Sequence, residues 1–279
     1  MNYHDFWFPL TTVYDVGEAR AVARLVMERC FGLQLTDIAC GAVETLDERL
    51  LTDLRSRLLT GEPVQYVLGV ETFCDRTFHV EPGVLIPRPE TEWLCQKAVE
   101  LLQGKDTACV LDIGTGSGCI ACTIALESSV SVTAWDVSDR AIAVARENAV
   151  ALGANVRVEK QDALCPPADD RRWDIIVSNP PYVCENERSA MQPNVLIYEP
   201  SLALFVPDDD PLLFYRAITN YAVHAMKPDG TLLLEINPLF ARELCKLLSA
   251  TGFSSVQTAN DLFGKERFAI ASAYEVKRL

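Results

Sequence analysis

The chain has 279 residues, 49% of them apolar, which is enough for a sizeable core and argues against extended disorder. Asp and Glu outnumber Lys and Arg by 39 to 25, the net charge is −14, and the first lysine is Lys97; this counts against a large nucleic-acid duplex as substrate, although a local basic patch would escape a whole-chain count. No apolar run reaches the roughly 18 residues of a membrane span, the start Met1-Asn2-Tyr3-His4-Asp5 lacks signal-peptide character, and ten cysteines in mostly apolar surroundings read as reduced, buried thiols; a soluble cytoplasmic protein is expected.

The first eighty or so residues carry helical periodicity. Asp15 and Glu18 have capping-box spacing ahead of Ala19, Val22, Ala23, Val26, Met27 and Cys30 on one face. Thr45 and Glu48 repeat that spacing before Leu46, Leu50, Leu54 and Leu58, with Gly61 placed to end the helix, and Thr36-Asp37 starts a shorter helix between. The charged outer positions read as a solvated face. Over residues 61–92, Pro63, Pro82, Pro87 and Pro89 break any helix, and Tyr66–Phe73 with Thr77–Val80 predict a hairpin. This gives a helical domain over 1–62, a hairpin linker over 63–84 and a third region over 85–279.

From residue 93 strands and helices alternate. Strands are predicted at 109–113, 132–135, 156–159, 175–178 and 231–236, then near 255–258 and 268–273; helices are predicted at 120–127, 139–152, 212–226 and 240–251. This is the pattern of an α/β, Rossmann-like, mostly parallel sheet, in which ligands bind beyond the carboxyl ends of the strands.

Asp112-Ile113-Gly114-Thr115-Gly116-Ser117-Gly118 ends the first of these strands and enters a helix. A P-loop would need Lys-Ser/Thr after the last glycine and a G-x-G-x-x-G fingerprint a third glycine at 119, but Cys119 stands there. The G-x-G-x-G form with Asp112 before it fits S-adenosylmethionine, whose methionine carboxylate and amino group can meet the loop N–H groups and a carboxylate. A ligand-free tight turn is the plain alternative. Asp136, at the end of the next strand, can accept both ribose hydroxyls, and Asp162, after the third, can accept from the adenine amino group; either could instead cap a helix.

Asn179-Pro180-Pro181-Tyr182 follows the apolar run Trp173–Ser178. Two prolines stop the strand and leave a rigid turn. The Asn179 side-chain carbonyl and the Pro180 backbone carbonyl offer two acceptors, and Tyr182 a flat ring: a receptor for a planar –NH2 group, with adenine, cytosine and glutamine all admissible. Acceptors beyond its two hydrogens raise electron density on a poorly nucleophilic nitrogen and favour the transition state of methyl transfer. Asn179, Pro180 and Tyr182 are the candidate catalytic residues, with Pro181 completing the substrate contact. Cys119 and Cys122 lack a second pair to form a metal site, and His4, His79 and His224 are isolated, so no metal is expected.

With these residues in hand, the chain resembles the HemK/PrmC family of protein-glutamine methyltransferases that act on peptide chain release factors. The resemblance covers nearly the whole length: Gly61-Glu62-Pro63-Val64-Gln65-Tyr66 with Gly69, Leu85–Glu92, the glycine loop, Asp136-Val137-Ser138, Ser178–Tyr182, and Glu199-Pro200 with Ala203-Leu204-Phe205. It implies a seven-stranded S-adenosylmethionine-dependent methyltransferase domain, a helical domain that helps hold the release factor, and transfer to the side-chain amide nitrogen of the Gln in a Gly-Gly-Gln tripeptide. It further implies that Gly114, Thr115, Gly116, Ser117, Gly118, Asp136 and Asn179 contact the cofactor, joining Asp112 and Asp162 from the reading of the residues, that Asn179–Tyr182 contact the glutamine and that Pro87–Thr91 shape the pocket wall. The expected partners are class 1 release factors, without direct nucleic-acid or membrane binding, and the chain is expected to be monomeric. Two residues depart from the family: Asn237 stands where glycine is common, putting the local turn in question, and Ala163 where an aromatic is frequent, putting adenine stacking in question. A nucleic-acid amino-methyltransferase, which would need a basic, aromatic-lined groove, and a catalytically silent adaptor are the competing readings.

Overall fold

The computed structural model describes residues 1–170 and 172–274. They form two compact units: one of residues 1–70, 80–82 and 191–199, the other of 71–79, 83–190 and 200 onward.

The first unit is helical: α1 (Tyr3–Trp7), α2 (Val16–Phe31), α3 (Leu35–Ala39), α4 (Glu48–Leu59) and α5 (Val64–Leu68) enclose Phe6, Leu10, Ala23, Met27, Leu51 and Leu58. Asp15 caps α2 by accepting the Glu18 N–H at 2.9 Å, and Gly32, with φ 67°, takes the left-handed turn that ends it. Ala19, Val22, Ala23, Val26 and Met27 are buried, but Cys30 lies in an exposed last turn with Glu28 and Arg29. The cap of α4 is Asp47 rather than Thr45; its carboxylate accepts from Arg49 and Leu50 at 2.8 and 3.2 Å, while the Thr45 hydroxyl turns back to Ala42. The later start brings Leu51 into the core beside Leu54 and Leu58 and leaves Leu50 exposed.

Two expectations for the following segment change. Val64–Leu68 forms a helical turn, not a strand, because Pro63 accepts from Tyr66 and Val67 at its start and Gly69 leaves it with φ 74°. Arg57 is not merely solvated. It grips Glu62 through Nη2 and Nε at 2.5 and 2.9 Å and donates to the Tyr66 and Val67 carbonyls at 2.9 and 3.2 Å, satisfying the end of α5. The hairpin is therefore shorter, β1 (Val70–Phe73) with β2 (Arg76–His79), joined through Cys74 and Asp75 at positive φ.

The second unit is built on α6 (Glu92–Leu102), β3 (Cys109–Ile113), α7 (Cys119–Ser128), β4 (Ser131–Asp136), α8 (Asp139–Leu152), β5 (Val156–Lys160) and β6 (Trp173–Ser178). There follow β7 (Val183–Cys184), α9 (Pro193–Tyr198), which belongs to the helical unit, β8 (Phe205–Val206), α10 (Leu213–Ala225), β9 (Met226–Glu235), α11 (Ala241–Thr251), β10 (Phe253–Asn260) and β11 (Glu266–Tyr274). Seven strands make one sheet in the order β10-β11-β9-β6-β3-β4-β5, with β11 antiparallel to both neighbours and the other pairings parallel. Successive side chains feed opposite faces. Val110, Ile175 and Val177 pack with α6, α7 and α8, and Leu111 and Ile176 with α10 and α11, so the central strands are apolar on both sides.

Candidate active site

Strand register brings the site together. Ile113 pairs with Trp135 on one side and with Ser178 on the other, so the next residues of β3, β4 and β6 (Gly114, Asp136 and Asn179) emerge side by side at the carboxyl edge. The chain runs outward from β3 through β4 to β5 and then returns to place β6 on the other side of β3. That reversal is where an open α/β sheet leaves a crevice. A cleft of about 260 Å³ lies there, lined among others by Pro87, Arg88, Thr91, Gly114–Ser117, Asp136, Val137, Asp162, Ala163, Asn179, Pro181 and Phe214.

The loop is held from beneath. Gly114, Gly116 and Gly118 have φ of 75°, 57° and 81°. A Cβ on Gly118 would come within 3.1 Å of Ala145, so that glycine permits α7 to approach α8, whereas a Cβ on Gly116 would meet nothing within 4 Å. Gly114 and Thr115 both donate to the Trp135 carbonyl at 2.9 Å, and Gly116 donates to Asp136 Oδ2 at 2.9 Å. These three N–H groups are thus committed within the protein, contrary to the expectation that they face a ligand carboxylate. Asp112 also differs from expectation. It is fully buried below the loop and off the cleft wall; its Oδ2 accepts the Thr115 hydroxyl at 2.6 Å while Oδ1 has no partner. Burial pushes its carboxyl up to about 7, against the pull of the Thr115 and Ala121 hydrogen bonds. Asn148, buried in the apolar face of α8, ties the loop to β2 by donating to the Ser117 and His79 carbonyls at 2.8 and 3.0 Å.

Asp136 faces the cleft with Oδ2 on Gly116 and Oδ1 accepting Ser138 N–H at 2.9 Å, which leaves a lone pair on each oxygen. Burial raises its pKa and the N–H bonds from Ser138 and Gly116 draw it back. Asp162 is exposed and closes a turn by accepting Leu164 N–H at 2.8 Å. Ala163 lines the cleft, and an aromatic ring reaches its wall from α10 as Phe214.

In the Asn179–Tyr182 turn, Asn179 and Pro181 line the cleft; Pro180 is buried, and Pro180 and Tyr182 are not among the lining residues. Tyr182 is turned away: its hydroxyl donates to Glu235 Oε1 at 2.9 Å. Asn179 Nδ2 donates to Thr91 Oγ1 at 3.2 Å, and Thr91 Oγ1 donates to Glu235 Oε2 at 2.6 Å. Glu235, at the end of β9 and buried, therefore anchors both ends of the turn. Burial raises its pKa, and the Thr91 and Tyr182 bonds lower it. Asn237 is 5% exposed with φ −74°, so no glycine is needed at this turn; it donates to the Tyr182 carbonyl at 3.1 Å and to Glu187 at 2.9 Å and accepts from Leu239 at 3.0 Å. Sequence reasoning missed Glu235, Thr91 as a hydrogen-bonding group, Asn148 and Phe214. The available signals were a carboxylate closing an apolar strand and an Asn within an apolar helical stripe.

Residues 10–69 match the family model described as PrmC N-terminal domain, and residues 93–204 match Methyltransferase small domain. A release factor glutamine methyltransferase of Bacteroides thetaiotaomicron is 40% identical over 270 residues, 94% of this chain and 96% of that protein. One from Flavobacterium psychrophilum is 37% identical over 275 residues, 95% and 96% of the two. The chain belongs to the release factor glutamine methyltransferase family. A methyltransferase of Pyrococcus furiosus shares the fold, with a TM-score of 0.54 at 19% identity over 80% of this chain and 100% of that one.

As a family member the chain is a methyltransferase, and its cofactor is S-adenosylmethionine. The cleft fits that cofactor on its own terms: the Gly116 face of the loop is open, and the Asp136 carboxylate on the wall keeps acceptor capacity. Cys119 and Cys122 are buried in α7, where burial raises the thiol of Cys119 and pushes that of Cys122 up to about 12. Of the ten free cysteines, Cys30, Cys40 and Cys165 are exposed, so the expectation of buried thiols does not extend to these three. Among the described residues, no helix is long and apolar enough to cross a membrane.

Proposed function

We propose that the chain methylates the side-chain amide nitrogen of the Gln in the Gly-Gly-Gln motif of class 1 peptide chain release factors, in the cytoplasm. The observation that carries this reading is the Asn179 carboxamide: its N–H2 is tied back to Thr91, so its Oδ1 remains an acceptor on the cleft wall. When bound, S-adenosylmethionine supplies a methyl group on an electrophilic sulfonium centre. Asp136 would take the ribose hydroxyls with its two remaining lone pairs, Val137 and Ala163 would flank the base beside Asp162, and the Gly114–Ser117 backbone would line the methionine end. Asp112 and Thr115 would act from below by fixing the loop's shape.

For the substrate, Asn179 Oδ1 on the cleft wall would accept one amide hydrogen, and the Pro180 carbonyl, which belongs to a buried residue off that wall, would take the second only once the amide has entered beside Asn179. Held there, the nitrogen is restrained toward the incoming methyl, and positive charge growing on it is stabilised. No strong base is needed, since the proton becomes acidic as the new N–C bond forms. Tyr182 serves this reading by anchoring the turn through Glu235, which differs from the flat receptor face its sequence position suggested.

The test is transfer of labelled methyl from S-adenosylmethionine to intact release factor, to the same factor with the tripeptide Gln changed to Ala, or to DNA. Label in the intact factor alone is expected; label in DNA, or equal label in both factors, overturns the reading.

A further inference from the structure

A carboxamide has two orientations differing by a half-turn, one presenting a carbonyl to a given side and the other an –NH2. Only the first can receive an amide –NH2 from the cleft. The orientation of Asn179 is decided away from the cleft, at Thr91. That hydroxyl has one hydrogen, and it lies on the 2.6 Å bond to Glu235 Oε2. Its oxygen can then only accept from Asn179, which it does at 3.2 Å, and Oδ1 is left to face the other way. Tyr182 gives its hydrogen to the second carboxylate oxygen at 2.9 Å, so both oxygens of Glu235 act as acceptors.

We propose that Glu235 and Thr91 are positioning residues which set the orientation of the Asn179 carboxamide, with the ionised form of Glu235 keeping its carbonyl toward the cleft. The inference rests on the glutamine-methylation reading above. Protonation of Glu235 on Oε2 reverses the relay: the acid donates to Thr91, the Thr91 hydrogen is released toward Asn179, and the carboxamide turns its carbonyl to Thr91 and its –NH2 to the cleft. The groups facing Glu235 are Thr91 and Glu90 from the turn before α6, Tyr182 after β6, Arg267 on β11, and Tyr215 on α10, whose hydroxyl donates to the Glu235 backbone carbonyl at 3.1 Å. Burial is the largest influence and moves its titration upward, Glu90 adds to this, and Thr91, Tyr182 and Arg267 oppose it. Methyl transfer is therefore lost as pH falls through a value above the ordinary glutamate range.

The test compares wild type with Thr91→Ser, Thr91→Val and Glu235→Gln for cofactor affinity, kcat and KM on intact release factor, and the pH profile of kcat, with thermal melting to confirm folding. Thr91→Val is expected to lower kcat by roughly 10- to 100-fold with little change in cofactor affinity, since it leaves the nucleophile misplaced. Thr91→Ser restores most of the rate, and the acid limb of wild type is absent in Glu235→Gln. A second readout needs no substrate: the Asn179 side-chain N–H2 resonances shift with pH in wild type and not in Glu235→Gln. Wild-type kcat in Thr91→Val, an acid limb retained in Glu235→Gln, or pH-independent Asn179 resonances would each overturn the proposal. Titrating resonances in an enzyme that fails to methylate glutamine would uphold the relay and overturn the substrate reading instead.

Discussion

Asn237 donates its side-chain N–H to the backbone carbonyl of Tyr182 at 3.1 Å, locking the end of the Asn179–Tyr182 turn to the segment two residues beyond β9. The same side chain accepts from Leu239 and donates to Glu187. Replacing Asn237 by Gly removes all three bonds and leaves buried polar groups short of partners. A loss of about 1–3 kcal/mol in stability is expected, read by urea denaturation, with cofactor affinity little changed.

Asn179→Ala removes the acceptor on the cleft wall without touching the Gly116–Asp136 bond. Methyl transfer is expected to fall by about 10²–10³-fold, comparable to losing one oriented polar group from a transition-state site. Calorimetric titration with S-adenosylmethionine should show affinity largely intact, and retained activity would contradict the positioning role.

Asp136→Ala should act on the other side of the division. It strips the Gly116 and Ser138 N–H groups of their acceptor and takes the carboxylate from the wall. Cofactor affinity is expected to fall by roughly 10- to 100-fold, about 1.4–2.8 kcal/mol, with much of the transfer rate recovered at saturating cofactor.

Gly116 and Gly118 should respond differently to alanine. Both have positive φ, which costs a side chain about 1–2 kcal/mol, but only at Gly118 does the new Cβ meet backbone and side-chain atoms of Ala145, at 3.2 and 3.1 Å. Gly118→Ala is expected to lose a further ~1–3 kcal/mol through overpacking between α7 and α8. Paired chemical denaturation curves check this; equal losses would refute the packing role of Gly118.

Asp112 predicts a pH dependence of stability. Its folded pKa is raised to about 7 by burial, against ~3.9 in an unfolded chain. Between those values the folded state holds the proton more tightly, so this group's contribution is favourable at low pH and declines as pH rises through the window. Asp112→Asn keeps an acceptor for the Thr115 hydroxyl and should flatten that decline, measured as unfolding free energy against pH.

Much of the α/β unit was legible because its signals are local. Apolar runs such as Trp173–Ser178 and the periodic helix Asp139–Leu152 declare themselves within a few residues, and a glycine loop or a double proline marks a strand end. The partnerships inside the site were not legible. Thr91 and Glu235 are 144 positions apart, and nothing in either neighbourhood signals the other. Asp112 was misread for a related reason: a carboxylate ahead of a glycine loop looks like a ligand, and only the fold shows it directed under the loop toward Thr115. Tyr66–Leu68, read as the start of the hairpin strand, instead complete a single helical turn framed by Pro63 and Gly69.

Met191–Glu199 belongs to the helical unit, and the Tyr198 hydroxyl bonds the carbonyl and hydroxyl of Thr60 at 3.0 and 2.7 Å. A fragment ending at residue 70 is therefore short of part of its own fold and would make a poor cassette for grafting onto another enzyme. The same holds during synthesis, where chains usually complete domains from the N-terminus onward. Residues 191–199 join the helical unit last, laid against a core whose buried apolar residues all lie between Phe6 and Val67.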